Sequence, residues 1–575
     1  MDRQRFGTWF QASPGSHLRV LIWLVLLSLL AYIKVLQNGF VWDDQLLITE
    51  NYSIRQLGLV FAPHAAHAIL KYRPGMELSL ALDLKAWGLN PAGFHLTNLL
   101  LHLLNVGLVY LLVLRMPRAR SLAPLAGLFF ALLPVHSEAV AVLLGRSDLL
   151  GTALVLLGLL AFQRFLKGFT LFRRGLSYLI ALLLYGGMCL TKESGIIFPI
   201  LLALSENWAW VENGRHRAWR AQLLSLIPFL AIGFLYFWFR LIAAPPSGQH
   251  AWGGGAWQSL LWMLIVTWKY FVLLVFPAFL SPYYYPALPQ GCDYLRSVGG
   301  LAVLLGGCML ILRFHRRHSL AAWSVAWIGL ALLPVSNIIP IPGAMMNERW
   351  LYLPSVGFCV LTAGAAHHLL GRLSAGKRKA FLGVGLLLFG LYAVRIISWN
   401  AVWHDDGILT RVMLQQHPDS PLAHNNRGNY FWQAGRVQEA KEEYAQAFRL
   451  APDLPLIQLN LGNVYRSKGN VRRGIAFYRN AVRIDSLLAP GWLALGSAYQ
   501  AKGDSDSARV SFQQGLSLDP LNPEALNSLG ILYLKEKDYG LAEGCFRRAL
   551  ALRPNDPVLK ANLFQAVRRR SEQGQ

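Results

Sequence analysis

Twelve apolar stretches follow one another between residues 18 and 398, more than a soluble chain of 575 residues could bury. They lie near 18–36, 95–114, 121–143, 148–163, 176–191, 194–206, 221–242, 258–280, 297–312, 319–335, 351–371 and 380–398. A helix needs about 20 predominantly apolar residues to cross a bilayer. Most of the stretches meet or approach that length, and some are short or run together. From about residue 420 the pattern becomes charged and helix-periodic. The expectation is an all-α chain with a multi-span membrane domain over 1–399, a linker over 400–419 and a soluble helical domain over 420–570.

A net charge of +24 would point to nucleic acid if it covered a soluble surface. It does not. Residues 401–575 hold 22 Lys and Arg against 17 Asp and Glu, leaving 32 against 13 in the first 400. Short cytoplasmic loops retain Lys and Arg during insertion, so no nucleic-acid partner is expected. The basic clusters are Arg3/Arg5/Arg19, Arg115/Arg118/Arg120, Arg164/Lys167/Arg173/Arg174, Arg215/Arg217/Arg220, Arg313/Arg316/Arg317 and Arg372/Lys377/Arg378/Lys379. Alternation from a cytoplasmic N-terminus places every one inside, provided 258–280 does not cross fully. That segment is therefore read as re-entrant or interfacial, which suits its Trp257, Trp262 and Trp268 and the following Tyr283, Tyr284 and Tyr285. Eleven crossings remain, and an odd number puts the C-terminal domain on the non-cytoplasmic side. The setting would be a bacterial inner membrane or the endoplasmic reticulum, with that domain periplasmic, extracellular or lumenal. The first apolar run lacks a small-residue cleavage site and reads as an uncleaved span. The five cysteines show neither a disulfide framework nor metal spacing.

The same topology sorts the acids. Asp2, Glu206 and Glu212 fall inside, whereas Asp43, Asp44, Glu50, Glu77, Asp83, Glu138, Asp148, Glu193, Asp293 and Glu348 fall at the outer face. An ionised group at bilayer depth costs roughly 2.5–3.5 kcal/mol, so charges kept there usually line a polar cavity. Asp43 and Asp44, adjacent at the membrane boundary, repel each other, which can lift one pKa towards that of a general base; a helix cap or ion pair is an equal alternative. Arg73 could bind a phosphate through two N–H groups, or simply pair with Glu77 four residues on. His95, Asn98, His102 and Asn105 share one helical face, where hydrogen bonding between helices is the favoured explanation. His95, nearest the outer end, could also line a site. The neighbours His136/Glu138, Arg146/Asp148, Lys192/Glu193 and Glu348/Arg349, with Tyr352 beyond them, recur at outer span ends and together suit a polyanionic headgroup. His136 and Glu138 are too few donors for a metal site, and the sequence leaves open whether a divalent cation assists.

The C-terminal part repeats every 34 residues. Gly428, Gly462, Gly496 and Gly530 keep this period, as do Tyr444, Tyr478, Phe512 and Phe546, and Pro452, Pro520 and Pro554 hold the phase with Ser486 in the missing place. Four such units over roughly 420–556, with a capping helix over 557–570, resemble tetratricopeptide repeats. Stacked repeats form a superhelix whose default role is binding a protein or peptide.

Taken together, FVWDD (40–44), YRP (72–74), FHLTNLLLHLLNVGLVYLL (94–112), LLPVHSEAVAVLLGRSDLL (132–150), LTKES (190–194) and NERWLYLPSVGF (347–358), followed by the repeats, resemble the transmembrane and tetratricopeptide-repeat-containing O-mannosyltransferases and their prokaryotic relatives. The resemblance implies a GT-C-type enzyme that passes a mannose-like sugar, with inversion, from a polyprenyl-phosphate carrier to a hydroxyl on the outer face, with the repeats holding a protein acceptor. The family's acidic motif falls on Asp43 and Asp44, one of which would be the general base. Arg73, Lys192 and Arg349 occupy charged positions in matching motifs and are candidates for the donor phosphate. His95, His136, Glu138, Glu193, Glu348 and Tyr352 are expected to line the substrate site. The loop 243–257 is short and Gly-rich, and the array has only four repeats, so acceptor choice stays open. Transfer to a lipid or glycan, or a catalytically silent membrane scaffold, are the alternatives.

Overall fold

The computed structural model describes residues 14–49, 51–61, 72–167, 170–212, 219–243, 256–284, 291–314, 319–337 and 344–573. Asp2, Arg3, Arg5, Glu50, Arg215, Arg217, Tyr285, Arg316, Arg317 and most of the loop 243–257 lie outside these residues, as do the side chains of Arg118, Glu206, Glu212 and Arg220. The described residues are helical, without a strand among them. They form two units: Met1–Thr49 with Tyr72–Asp405, and Glu50–Lys71 with Asp406–Gln575.

The first unit contains α1 (Pro14–Tyr32), α2 (Pro74–Trp87), α3 (Pro91–Leu114), α4 (Ala123–Leu132), α5 (Ser137–Ala141), α6 (Arg146–Lys167), α7 (Leu171–Thr191), α8 (Phe198–Glu212), α9 (Trp219–Ala243), α10 (Ala256–Val275), α11 (Cys292–Phe314), α12 (Leu320–Leu332), α13 (Pro354–Arg372) and α14 (Ala375–Asn400). Local chemistry starts several of them. Asn90 accepts the Ala92 N–H ahead of Pro91, Thr170 accepts that of Arg173, and Ser319 that of Ala322, satisfying amides that have no partner inside the helix.

Among the described residues eight helices are long and apolar enough to cross a membrane, or nine if Ala119–Leu132 and Pro134–Ala141, bent by 52°, make one span. Of the stretches expected to cross, Glu193–Ser205 and Leu320–Val335 are shorter and Pro354–Arg372 falls outside this set, while α10, not counted among the eleven expected crossings, is in it. The stretch expected to be re-entrant or interfacial is one unbroken helix, α10, with membrane-crossing length. Its C-terminal part nonetheless lies on the same side as that of α9. Arg240 of α9 reaches Glu193 at 3.5 Å, while Tyr270 of α10 approaches the Asn347 carbonyl and Lys269 lies over the Tyr284 ring. The C-terminal ends of α9 and α10 therefore lie at the same end of the unit.

Charge divides along the helices. One end of the unit gathers Asp43, Arg73, Glu138, Arg146, Asp148, Lys192, Glu193, Glu348 and Arg349 through the ion pairs and hydrogen bonds described below. The other end is marked by His17 on Tyr110 at 2.8 Å, by Arg115 beside Arg164, and by Gly364 against Leu122 and Leu320. Arg174 donates to the Phe165 carbonyl at 3.2 Å near the end of α6, Arg313 lies in the last turn of α11, and the Arg372–Lys379 run joins α13 to α14.

The repeat unit begins earlier than the expected linker suggested. Residues 406–416 form α15 (Asp406–Gln416), against which Arg427 donates to the Gly407 carbonyl at 2.9 Å. Four helix pairs follow: α16 (Pro421–Gln433) with α17 (Val437–Leu450), α18 (Pro455–Ser467) with α19 (Val471–Ile484), α20 (Ala489–Lys502) with α21 (Ser505–Leu518), and α22 (Pro523–Lys535) with α23 (Tyr539–Leu552). The helix α24 (Pro557–Glu572) closes the series. The periodic glycine has a steric cause. A methyl group on Gly428 or Gly462 would stand 2.5 Å from the ring of Tyr444 or Tyr478, and one on Gly496 or Gly530 2.8 or 2.7 Å from Phe512 or Phe546. Ala440, Ala508 and Ala542 are fully buried where the second helix packs closest.

Gly462→Ala is expected to destabilise the array by about 1–3 kcal/mol through overpacking against Tyr478. Gly544→Ala, with open space around it inside α23, should be neutral or slightly stabilising. Thermal melts followed by far-UV circular dichroism compare the two, and equal midpoints would contradict the packing account.

Candidate active site

The loop after α1 turns on Trp42, whose φ of +51° is unusual for a side chain of this size. The turn sends the two neighbouring carboxylates to different places. Asp44 is fully buried and accepts the Leu143 N–H at 3.0 Å and the Val41 N–H at 3.3 Å, tying the loop to the break between α5 and α6. Asp43 is half-buried and lines a cavity with Arg349, Asn347, Tyr283, Tyr284 and Trp403. Burial raises the Asp43 pKa above the usual carboxylate range, and the positive charge of Arg349 partly offsets that.

None of the opposite charges adjacent in sequence pairs with its neighbour in the described ion pairs. Arg349 binds Glu138, which also accepts the Arg349 backbone N–H at 2.9 Å. Lys192 binds Asp148, and Arg73 makes a two-pronged contact to Glu193 at 2.9 and 2.8 Å rather than an ion pair with Glu77. Arg146 binds Asp83 at 2.7 Å together with Ser79, Asn98 and the Phe94 carbonyl. Side chains one or two positions apart diverge around a helix, so each charge finds its counter-ion on another element. The pairs also act on one another, since Asp148 influences both Arg73 and Glu138. Burial lowers the Lys192 pKa, and Asp148 opposes that effect.

Glu348 is fully buried. One oxygen accepts the Ser281 N–H at 2.6 Å and the Tyr284 hydroxyl at 2.8 Å. Burial, reinforced by the nearby Glu138 charge, holds its pKa well above the carboxylate range. Glu348 thereby fixes Tyr284, which faces the Asp43 cavity.

The remaining expected site residues lie away from the cavity wall. His95 contacts the Gly39 carbonyl at 3.2 Å, His136 contacts the Phe130 carbonyl and Ser355, and Tyr352 meets His102 at 2.7 Å; all are fully buried. Asn98 donates to the Val140 and Val142 carbonyls and Asn105 to that of Leu149, so the polar face of α3 is spent on neighbouring backbone. Gly145 allows the tight turn between α5 and α6, because a Cβ there would stand 2.2 Å from the Ala139 oxygen. Sequence reading did not place Asp83, Arg240, Asn347, Tyr284 or Trp403 in the site. Tyr284 stood in a Tyr-rich run that was legible, but Trp403 reaches the cavity only through the fold.

The tetratricopeptide repeat model matches residues 414–488 and 493–557. Over most of its length the chain is 27% identical to the protein O-mannosyl-transferase Tmtc1 of Drosophila melanogaster, an alignment covering 72% of this chain and 59% of that one. It is 26% identical to human TMTC1, covering 74% and 54%, and 25% identical to mouse TMTC4, covering 72% and 64%. The chain is similar to these TMTC proteins. It spans between about half and two thirds of the length of these relatives.

Among the described residues the most deeply buried ion pair gives the sharpest stability test. Arg146→Met leaves Asp83 buried without its guanidinium and should cost roughly 3–5 kcal/mol. Adding Asp83→Leu should recover part of the loss. The melting temperature of the purified protein in detergent measures both, and an unchanged value for Arg146→Met would contradict the pairing.

Proposed function

We propose that this chain is a membrane glycosyltransferase that moves a mannose-like sugar from a polyprenyl-phosphate carrier to a hydroxyl of a protein acceptor, with inversion. Its relatives are named protein O-mannosyl-transferases, which supports the activity class. The observation that carries the reading is that Asp43 and Arg349 line one cavity beside a series of linked ion pairs. A carboxylate poised to take a proton and cations poised to meet phosphate are what such a displacement requires.

In the proposed step the acceptor oxygen attacks the anomeric carbon while Asp43 takes its proton. The bond from that carbon to the phosphate oxygen breaks, and the electron pair leaves with the polyprenyl phosphate. Arg349, Arg73 and Lys192 stabilise the departing charge, each exchanging part of its interaction with Glu138, Glu193 or Asp148 for the phosphate. Asp44 positions the loop, and the repeats hold the protein acceptor. With the basic helix ends in the cytoplasm, the cavity and the repeats would face the periplasm or lumen.

The test incubates purified protein with labelled polyprenyl-phosphate mannose and follows label into protein, lipid and glycan pools. Asp43→Asn should lower transfer by about 100-fold or more, and full transfer by this variant would remove the base assignment. Label in lipid or glycan alone would replace the protein acceptor. The pH profile has a definite sign. Asp43 must be ionised to accept a proton and its pKa is raised, so transfer should fall as pH drops through a value above the ordinary carboxylate range. A rate independent of pH down to that ordinary range would contradict it.

A further inference from the structure

Residues 51–61 follow the Asp43–Asp44 loop directly in the chain, yet they pack as part of the repeat unit. The Tyr52 hydroxyl lies 3.4 Å from Glu524 Oε1 and accepts from the Arg553 guanidinium, which also pairs with Glu524. Arg553 lies 5.1 Å from the Tyr52 ring centroid, and Arg55 approaches the same ring at 5.4 Å. Gln56 Nε2 donates to the Ala551 carbonyl at 2.6 Å, and Leu59 packs on the apolar core of the array.

The gripping residues are peculiar to the fourth repeat. In phase with Arg553 stand Ala451, Asp485 and Asp519, and in phase with Glu524 stand Leu456, Pro490 and Val558. Repeat packing explains the recurring glycines, aromatics and alanines, but it does not call for this cation and carboxylate, which occur together once. A long connection such as 38–73 gains entropy when free, and a hold part-way along it reduces the range of its first half.

We propose that the fourth repeat fastens the loop that carries Asp43, with Tyr52, Glu524 and Arg553 as positioning residues. The array then contributes to transfer by holding the base-bearing loop, in addition to any acceptor it binds. The part played in transfer rests on the role given to Asp43 above, whereas the fastening does not.

Hydrogen exchange on the full-length protein in detergent tests the fastening without reference to activity. In Tyr52→Ala and Arg553→Ala, amides of 51–61 should exchange about tenfold faster than in the wild type, and the rise should reach 41–49 while α16–α21 stay unchanged. Wild-type exchange at 51–61 that is already unprotected, or a rise that stops short of 49, would overturn the proposal. In the transfer assay kcat should fall about tenfold with acceptor KM unchanged, and Arg553→Lys, which keeps the cation, should restore much of it. A rise in acceptor KM alone would overturn the positioning role and make the pair an acceptor contact. A wild-type protein silent towards polyprenyl-phosphate sugars would remove the transferase reading and leave exchange to decide the fastening.

Discussion

A charge buried near a bilayer must have a counter-charge, and the membrane unit is organised around that requirement. Arg146 with Asp83, Lys192 with Asp148, Arg73 with Glu193 and Arg349 with Glu138 each join elements that are distant in sequence. Each pair is costly to desolvate and costlier to break, so it acts as a registration pin between elements. Together they set α2, α3, α5, α6, the start of α8 and the segment before α13 at one end of the bundle. The cavity bearing Asp43 sits among them because the loop after α1 is pinned by Asp44 to the Leu143 amide.

The pins also explain how adjacent residues acquire different tasks. Asp44 spends its oxygens on backbone amides, while Asp43, one residue earlier, faces the cavity. Glu348 turns to Tyr284 and Ser281, while Arg349 turns to Glu138 and the cavity. In both cases one member of the dipeptide secures structure and the other remains beside open space. Such a division lets a site be rigid without exhausting the groups that chemistry needs.

The repeat unit follows a different rule. Its core is steric, built from glycine under an aromatic ring and alanine at the close crossing, repeated through four units. Polar groups take secondary roles, such as Tyr444 and Tyr478 donating to Asn429 and Asn463 at 2.7 Å. Against that regular background, Arg553 and Glu524 stand out as a local departure that engages Tyr52.

Much of this was legible in the residue order. Apolar length marked the membrane helices and the 34-residue period marked the repeats, because each depends on spacing along a single helix. Apolar length alone does not count the spans, since α12 is short and α13 falls outside the set of long apolar helices. The acids and cations of the candidate site could be named singly from the sequence, and their partners could not. Arg73 stood four residues from Glu77 but binds Glu193, and Arg146 stood beside Asp148 but binds Asp83. Spacing along a helix limits only what that helix can do with itself, whereas a buried charge is satisfied by whichever counter-charge the packing of other helices brings near. Only tertiary structure decides that choice, and with it which carboxylate is left facing the cavity.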